Sequence, residues 1–250
     1  MGYWGVVNNC LKNADLILLI MDARVPEDTR NLEIERRAET LGKEVVFVFN
    51  KSDLITRKEE TALQKHYFDA FFVSSKRKNS VAILRKFLNA KGNNREKALR
   101  IALIGYPNVG KSSIFNMLVP EAKAKVSSIS GTTKKTEWIR SGHLRFMDSP
   151  GVIPRGDSKV QVGITASKDP HKIPFPERVA LKILKVIRKT DEKILKKFYN
   201  FDFEKDDSDY EVFLKFGKAK GHLIKGGEVD ENRAGIKIVD DWQKGKLGLK

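Results

Sequence analysis

The segment Gly105-Tyr-Pro-Asn-Val-Gly-Lys-Ser112 fits the pattern GxxxxGK(S/T). Glycines in such a loop let successive backbone N–H groups close around phosphate oxygens, and the helix that follows adds its partial positive charge. Gly105, Asn108, Val109, Gly110 and Ser113 are therefore expected to line a phosphate cradle. Lys111 would reach the terminal phosphates, and the Ser112 hydroxyl would ligate Mg²⁺. Further on, Asp148-Ser-Pro-Gly151 offers a carboxylate that can hold Mg²⁺ through a water and a glycine N–H that can sense a γ-phosphate. Between them lies Gly131-Thr-Thr133, where Thr133, in preference to Thr132, can complete the Mg²⁺ shell.

A second set of residues suits a purine. Asn50-Lys51-Ser52-Asp53 can present an amide and a carboxylate to one base edge. A carboxylate accepts from the N1–H and N2–H₂ of guanine, whereas adenine has no such donor pair, so Asp53 selects guanine over adenine. Ser74-Ser75-Lys76 would add backbone contacts to the guanine oxygen. GTP or GDP with Mg²⁺ is the expected ligand.

Each of these segments needs an element to aim it. Short β-branched or aromatic runs at Leu16–Met21, Val45–Phe49, Phe71–Val73, Ile101–Ile104 and Leu144–Met147 lack clean alternation, as strands buried on both faces do. Helix-like stretches at Asn31–Leu41, Lys58–His66, Val81–Leu88 and Ser112–Leu118 lie between them, so a parallel α/β sheet is expected. Lys91–Lys97 reads as a linker, and Asp157–Pro176 shows no usable period. After Pro176 the pattern is helical, with Val179, Ile183, Val186, Ile187, Ile194 and Phe198 on one side. Lys182, Lys185, Lys189, Lys193 and Lys196 lie on another, unless Thr190-Asp191-Glu192 starts a second helix and breaks the stripe. Ser208 with Glu211 resembles a capping box, and a last helix is expected after Asp230. The expected organisation is an α/β core at 1–165 and a small all-helical domain at 166–250.

Of the 250 residues, 40% are apolar and 32% charged, the composition of a soluble globular protein. A single cysteine, Cys10, can build neither a disulfide framework nor a thiolate cage, and no apolar run is long enough for a membrane. A cytoplasmic monomer is expected. His66, His143, His171 and His222 are scattered without metal spacing, and Trp138 and Trp242 are expected to pack rather than stack on bases. The net charge is +16, and residues 85–165 hold 15 basic against 5 acidic side chains. A polyanionic partner, nucleic acid, fits that bias.

The guanine-reading segments precede the phosphate segments, the reverse of the order in ordinary GTPases. The chain thus resembles the circularly permuted P-loop GTPases, most closely the YlqF/YawG type associated with ribosome assembly. The resemblance covers Asp22-Ala-Arg24 with Pro26, all the segments above, and Lys225–Asp230 ahead of Asp241-Trp242 and Gly245. It implies a GTPase acting as a switch, with ribosomal RNA of the large subunit as partner; the alternative is a GTP-gated module whose partners are proteins. Val152 stands where Ras-like enzymes carry a water-positioning glutamine, so slow turnover is expected. In families with a hydrophobic residue there, an asparagine at the place of Asn108 helps hold a potassium ion, which makes Asn108 the candidate K⁺ ligand. The N-terminal histidine of bacterial YlqF-like proteins has no counterpart before His66. The permutation also puts the helical region directly after Asp148–Gly151.

Overall fold

The computed structural model of the chain describes residues 3–93, 95–120, 137–154, 159–165 and 168–250. Six strands form one sheet: β1 (Leu16–Asp22), β2 (Glu44–Asn50), β3 (Phe71–Phe72), β4 (Leu99–Gly105), β5 (Ile139–Ser141) and β6 (Leu144–Asp148). Their order is β3-β2-β1-β4-β6-β5. All neighbours are parallel except β5 and β6. The sequence reading lacks β5. Only Gly142-His143 separate it from β6, and Gly142 at φ +59° turns the chain back into a hairpin, which forces antiparallel pairing.

Strand β1, at the centre, is buried at every one of its seven positions, which explains its unbroken apolar run. Alternate residues of the sheet feed two cores. Leu16, Leu18, Ile101, Leu103 and Phe146 meet α5 (Ala82–Asn93) and α6 (Lys111–Leu118) through Leu84, Leu88, Ile114 and Phe115. On the other face Ile17, Leu19, Ala102, Ile104 and Met147 meet α1 (Tyr3–Asn13) and α3 (Leu32–Thr40) through Val7, Leu11, Ile34 and Ala38. Asn31 caps α3 by accepting from the Ile34 N–H at 3.1 Å. A one-turn helix, α2 (Pro26–Thr29), and α4 (Arg57–His66) complete this unit's helices among the described residues. The expected linker at Lys91–Lys97 is in part helix, since α5 runs on to Asn93, where Gly92 packs under Leu144.

Contacts divide the chain into two compact units, residues 1–53 with 57–155, and residues 54–56 with 156–250. The division falls ahead of the expected residue 165 because α7 (Lys159–Ile164) packs within the second unit. Gly163 lies against Val179, and the Trp242 indole N–H donates to the Ile164 carbonyl at 3.0 Å. That helix also corrects the reading of 157–176 as wholly aperiodic. In the second unit α8 (Pro176–Thr190) buries Val179, Ala180, Ile183, Leu184 and Ile187. Asp191 is extended, at φ −161° and ψ 114°, so α9 (Lys193–Tyr199) is a separate helix and the lysine stripe is broken after Lys189. Lys196 lies with its ammonium 4.9 Å from the centre of the Phe203 ring. Ile194 is half-buried and Phe198 exposed, so the apolar side drawn through both does not continue past α8. Ser208 and Glu211 form the expected capping box ahead of α10 (Asp209–Ala219), and Asp230 caps α11 (Glu231–Gln243).

Candidate functional site

Strands β1, β2, β4 and β6 end side by side, and the loops leaving them hold the chemistry-bearing residues of the sequence within one unit. At the end of β4 the chain turns through Gly105–Gly110 into α6. Gly110 has φ +98°, and a Cβ there would lie 2.0 Å from the Asn50 amide nitrogen, so glycine is required on both counts. Asn108 is also left-handed, at φ +57°, and exposed. Lys111 is buried, and its ammonium donates to the carbonyls of Gly105 (3.2 Å) and Tyr106 (2.6 Å). Burial pushes its pKa down to about 8, against an opposing pull from the Asp148 carboxylate. A cation held inside a loop of backbone amides suits a polyphosphate.

Asp148 closes β6 and accepts a 2.6 Å hydrogen bond from the Ser112 hydroxyl. Burial raises its pKa, while Ser112 and Lys111 act in the opposite direction. Its Oδ1 is buried without a hydrogen-bond partner among the described residues. A hydroxyl and a carboxylate in contact, with one acceptor unspent, are oxygen donors of the kind Mg²⁺ takes beside phosphates. The residues present therefore fit that ion. Gly151 lies against the phosphate loop, where an added Cβ would meet the backbone of Pro107 at 2.7 Å. Val152 donates its N–H to the Gly105 carbonyl at 3.1 Å, and its side chain is buried in the α1/α3 core. The residue in the glutamine position is thus a core side chain. Ser112 and Ser113 are exposed at the start of α6. Thr133, with Thr132, lies outside the described residues.

Among the segments expected to read a purine, Asn50 is tied into the fold. Its amide N–H₂ donates to the Val109 carbonyl at 2.8 Å, and the residue is 1% exposed, so it ties the β2 loop to the phosphate loop. Close approach at Gly110 makes this possible. Its Oδ1 is buried with no partner among the described residues. Lys51, at φ +60°, sends its ammonium to the Asp22 carboxylate at 2.7 Å. Asp22 also binds Arg24, Nη2 to Oδ2 at 2.8 Å and Nε to Oδ1 at 3.1 Å. Burial alone would raise the pKa of Asp22, but Arg24 and Lys51 outweigh it and hold the carboxyl well below its usual range. This buried triad was not legible in the sequence as a support; only the Asp22-Ala-Arg24 motif was visible. Asp53 accepts from the Ser74 hydroxyl at 2.5 Å, and the Ser74 Oγ accepts from the Lys76 N–H at 3.1 Å. Two loops far apart in sequence, 50–53 and 74–76, are joined there, with Ser75 and Lys76 exposed.

The packing expectation for the tryptophans agrees with their surroundings, Trp138 against the α1/α3 core and Trp242 fully buried. No group of three or more His, Cys, Asp or Glu at metal-holding distance occurs among the described residues.

Two family models match the chain. One, described as RsgA GTPase, matches residues 6–154, and the other, described as 50S ribosome-binding GTPase, matches residues 100–214. An uncharacterized GTP-binding protein of Methanocaldococcus jannaschii is 38% identical over 246 residues, 97% of this chain and 65% of its own length. A nuclear/nucleolar GTPase 2 of Oryza sativa is 31% identical over 257 residues, 98% of this chain and 47% of its own. Nucleolar GTP-binding protein 2 of Saccharomyces cerevisiae is 30% identical over 258 residues, 98% of this chain and 52% of its own. The chain thus spans about half to two thirds of the length of these relatives. Among solved structures, GNP-bound YlqF from T. maritima superposes with a TM-score of 0.58 at 20% identity, over 97% of this chain and 94% of that one. That likeness bears on the fold alone. With more than half of its residues matched by the RsgA GTPase model, the chain belongs to the circularly permuted P-loop GTPases.

Proposed function

We propose that the chain is a slow GTPase that works as a nucleotide-dependent switch in ribosome assembly, contacting ribosomal RNA of the large subunit. The observation that carries the reading is the meeting of four segments at one end of one sheet. Lys111 lies inside the phosphate loop, Ser112 bonds Asp148, Asn50 holds Val109, and Ser74 holds Asp53. In this reading Gly105, Asn108, Val109, Gly110, Lys111 and Ser113 surround the phosphates, and Asp53 with Ser74, Ser75 and Lys76 reads guanine. Asn50 and Lys51 support the base loop through Val109 and Asp22. Mg²⁺ would be held by Ser112 and Asp148, with Thr133 as the further ligand expected from the sequence, and would supply charge neutralisation beside the phosphates.

Hydrolysis transfers the γ-phosphoryl group to water, giving GDP and phosphate. Lys111 is placed to stabilise the charge that develops on the leaving oxygens. Val152, being in the core, orients no water, so turnover is slow. Asn108, exposed and left-handed in the phosphate loop, is the proposed ligand of a K⁺ ion, which would supply positive charge near the phosphates. The likeness to nucleolar GTPases and to the 50S ribosome-binding GTPase family supports the ribosomal assignment. Residues 156–250 are proposed as an RNA-contacting domain that follows the Asp148–Gly151 loop. No helix among the described residues is long and apolar enough to cross a membrane. A cytoplasmic monomer is the proposed working form.

The test is co-sedimentation of the chain with salt-washed ribosomal subunits in GDP and in a non-hydrolysable GTP analogue, with bulk RNA as the charge control. Binding to the large subunit that strengthens with the analogue is expected. Equal, weak binding to every RNA would overturn the ribosomal role and favour protein partners. A Lys111→Ala chain that still hydrolyses GTP at the original rate would overturn the site.

A further inference from the structure

Opposite the nucleotide loops, at the other end of the sheet, arginines line up across three strands. Arg140 of β5 is the register partner of Arg145 of β6, and Arg145 is in turn the partner of Arg100 of β4. Cross-strand partners lie on the same face, and neighbouring strands are about 4.8 Å apart, so the three Cα atoms span roughly 10 Å. Arg95 and Lys97, just before β4, join them around an open groove of about 540 Å³. Asp15 is the one carboxylate lining it, and it bonds Arg100 at 3.0 Å. Arg95, Lys97, Arg140 and Arg145 are exposed. Like charges placed directly opposite on a sheet repel one another. Asp15 offsets the charge of Arg100, and an anion along the row would relieve the repulsion between Arg140 and Arg145.

We propose that this arginine row is a docking site for the sugar-phosphate backbone of RNA. Five basic side chains, Arg95, Lys97, Arg100, Arg140 and Arg145, line one groove, which suits a repeated phosphodiester better than a single small anion. None of the large apolar side chains exposed among the described residues lines it, which disfavours a protein or lipid partner. Arginine also makes bidentate contacts to phosphate with its planar fork. The site lies wholly within the first unit, on strands that β4 shares with the phosphate loop. The inference deepens the ribosomal reading above by naming a surface through which RNA is held, away from the nucleotide.

The test compares the full chain with the double variant Arg140→Gln/Arg145→Gln and with Lys58→Gln/Lys65→Gln, which removes two exposed charges from α4. Binding to a labelled RNA hairpin of about 20 base pairs is followed by fluorescence anisotropy across a salt series. Loss of two phosphate contacts should weaken binding by about tenfold or more and flatten the log-log salt slope by roughly 1.4 to 1.8. The α4 pair should shift affinity less than about twofold, and all three proteins should bind labelled GDP alike, which controls for folding. Equal losses in both pairs, or none, would overturn the site, as would polyglutamate competing as well as unlabelled RNA. If the arginine variant sediments with the large subunit as well as the original chain, the row falls and the ribosomal reading stands. If hairpin binding depends on the row while no subunit is bound, the ribosomal reading falls instead.

Discussion

Asp22 holds two cations beside residues 50–53, Arg24 with a fully buried side chain and Lys51 with one 16% exposed. Replacing one member of such a group leaves uncompensated charge in the interior, at a cost of about 3–5 kcal/mol. Asp22→Asn should lose that much in urea unfolding and should weaken guanine nucleotide binding, because Lys51 no longer has its anchor. The pH dependence follows from the sign of the shift. The carboxyl is depressed in the folded state, so its stabilisation is present above the unfolded value, near pH 4, and is lost as pH falls through the lower folded value. The acid limb of the stability profile should therefore be shallower in the variant, and an equally steep limb would show that other carboxylates set it. At Asp53 the expected effect is one of specificity. Asp53→Asn exchanges a pure acceptor for an amide that can donate to the extra carbonyl of xanthine. Competition binding should show preference moving from GTP toward XTP, and an unchanged base preference would remove Asp53 from the base site.

At the level of elements, close backbone approach recurs where two elements must hold a geometry. In the second unit, Gly235 of α11 faces the start of α8, and an added Cβ would lie 2.6 Å from the Glu177 nitrogen and 2.7 Å from the Pro176 carbonyl carbon. Alanine is the better helix former by about 1 kcal/mol, so propensity alone favours Gly235→Ala. The clash is with backbone and has no rotamer to escape into. Overpacking of that kind costs about 1–3 kcal/mol, and the net change in thermal or urea unfolding should be destabilising. A stabilised variant would mean that the α8–α11 crossing is looser than its geometry implies. At Gly110 in the first unit the added Cβ would instead meet the Asn50 side-chain amide, and the positive φ of Gly110 adds backbone strain.

For the whole molecule, the prediction is one of linkage. If GTP and GDP forms bind the ribosomal partner with different affinities, the partner must change the ratio of GTP to GDP affinity by the same factor. Equilibrium binding of labelled GDP and of a labelled non-hydrolysable GTP analogue, each with and without saturating large subunit, measures one side of that cycle. Co-sedimentation measures the other. Matching factors are expected, and a partner that shifts neither nucleotide affinity would leave the chain a GTPase without a switch.

Much of this was legible in the residues alone. The glycine and lysine spacing at 105–112, the carboxylates at 53 and 148, and the apolar runs ahead of them set the sheet, the nucleotide class and the permuted order, because phosphate loops and buried strands each demand local residue types. Helix caps at Ser208 and Asp230 are local in the same way. Tertiary structure decided what depends on residues distant in sequence. It tied the Asn50 amide to Val109 and placed Val152 in the core. It joined Asp22 to Lys51, ended the lysine stripe at Asp191, and aligned Arg100, Arg145 and Arg140 into one row. Spacing along a chain reports a residue's neighbours within one turn or one strand. Which strand lies beside it, and in what register, is set by the packing of the sheet as a whole.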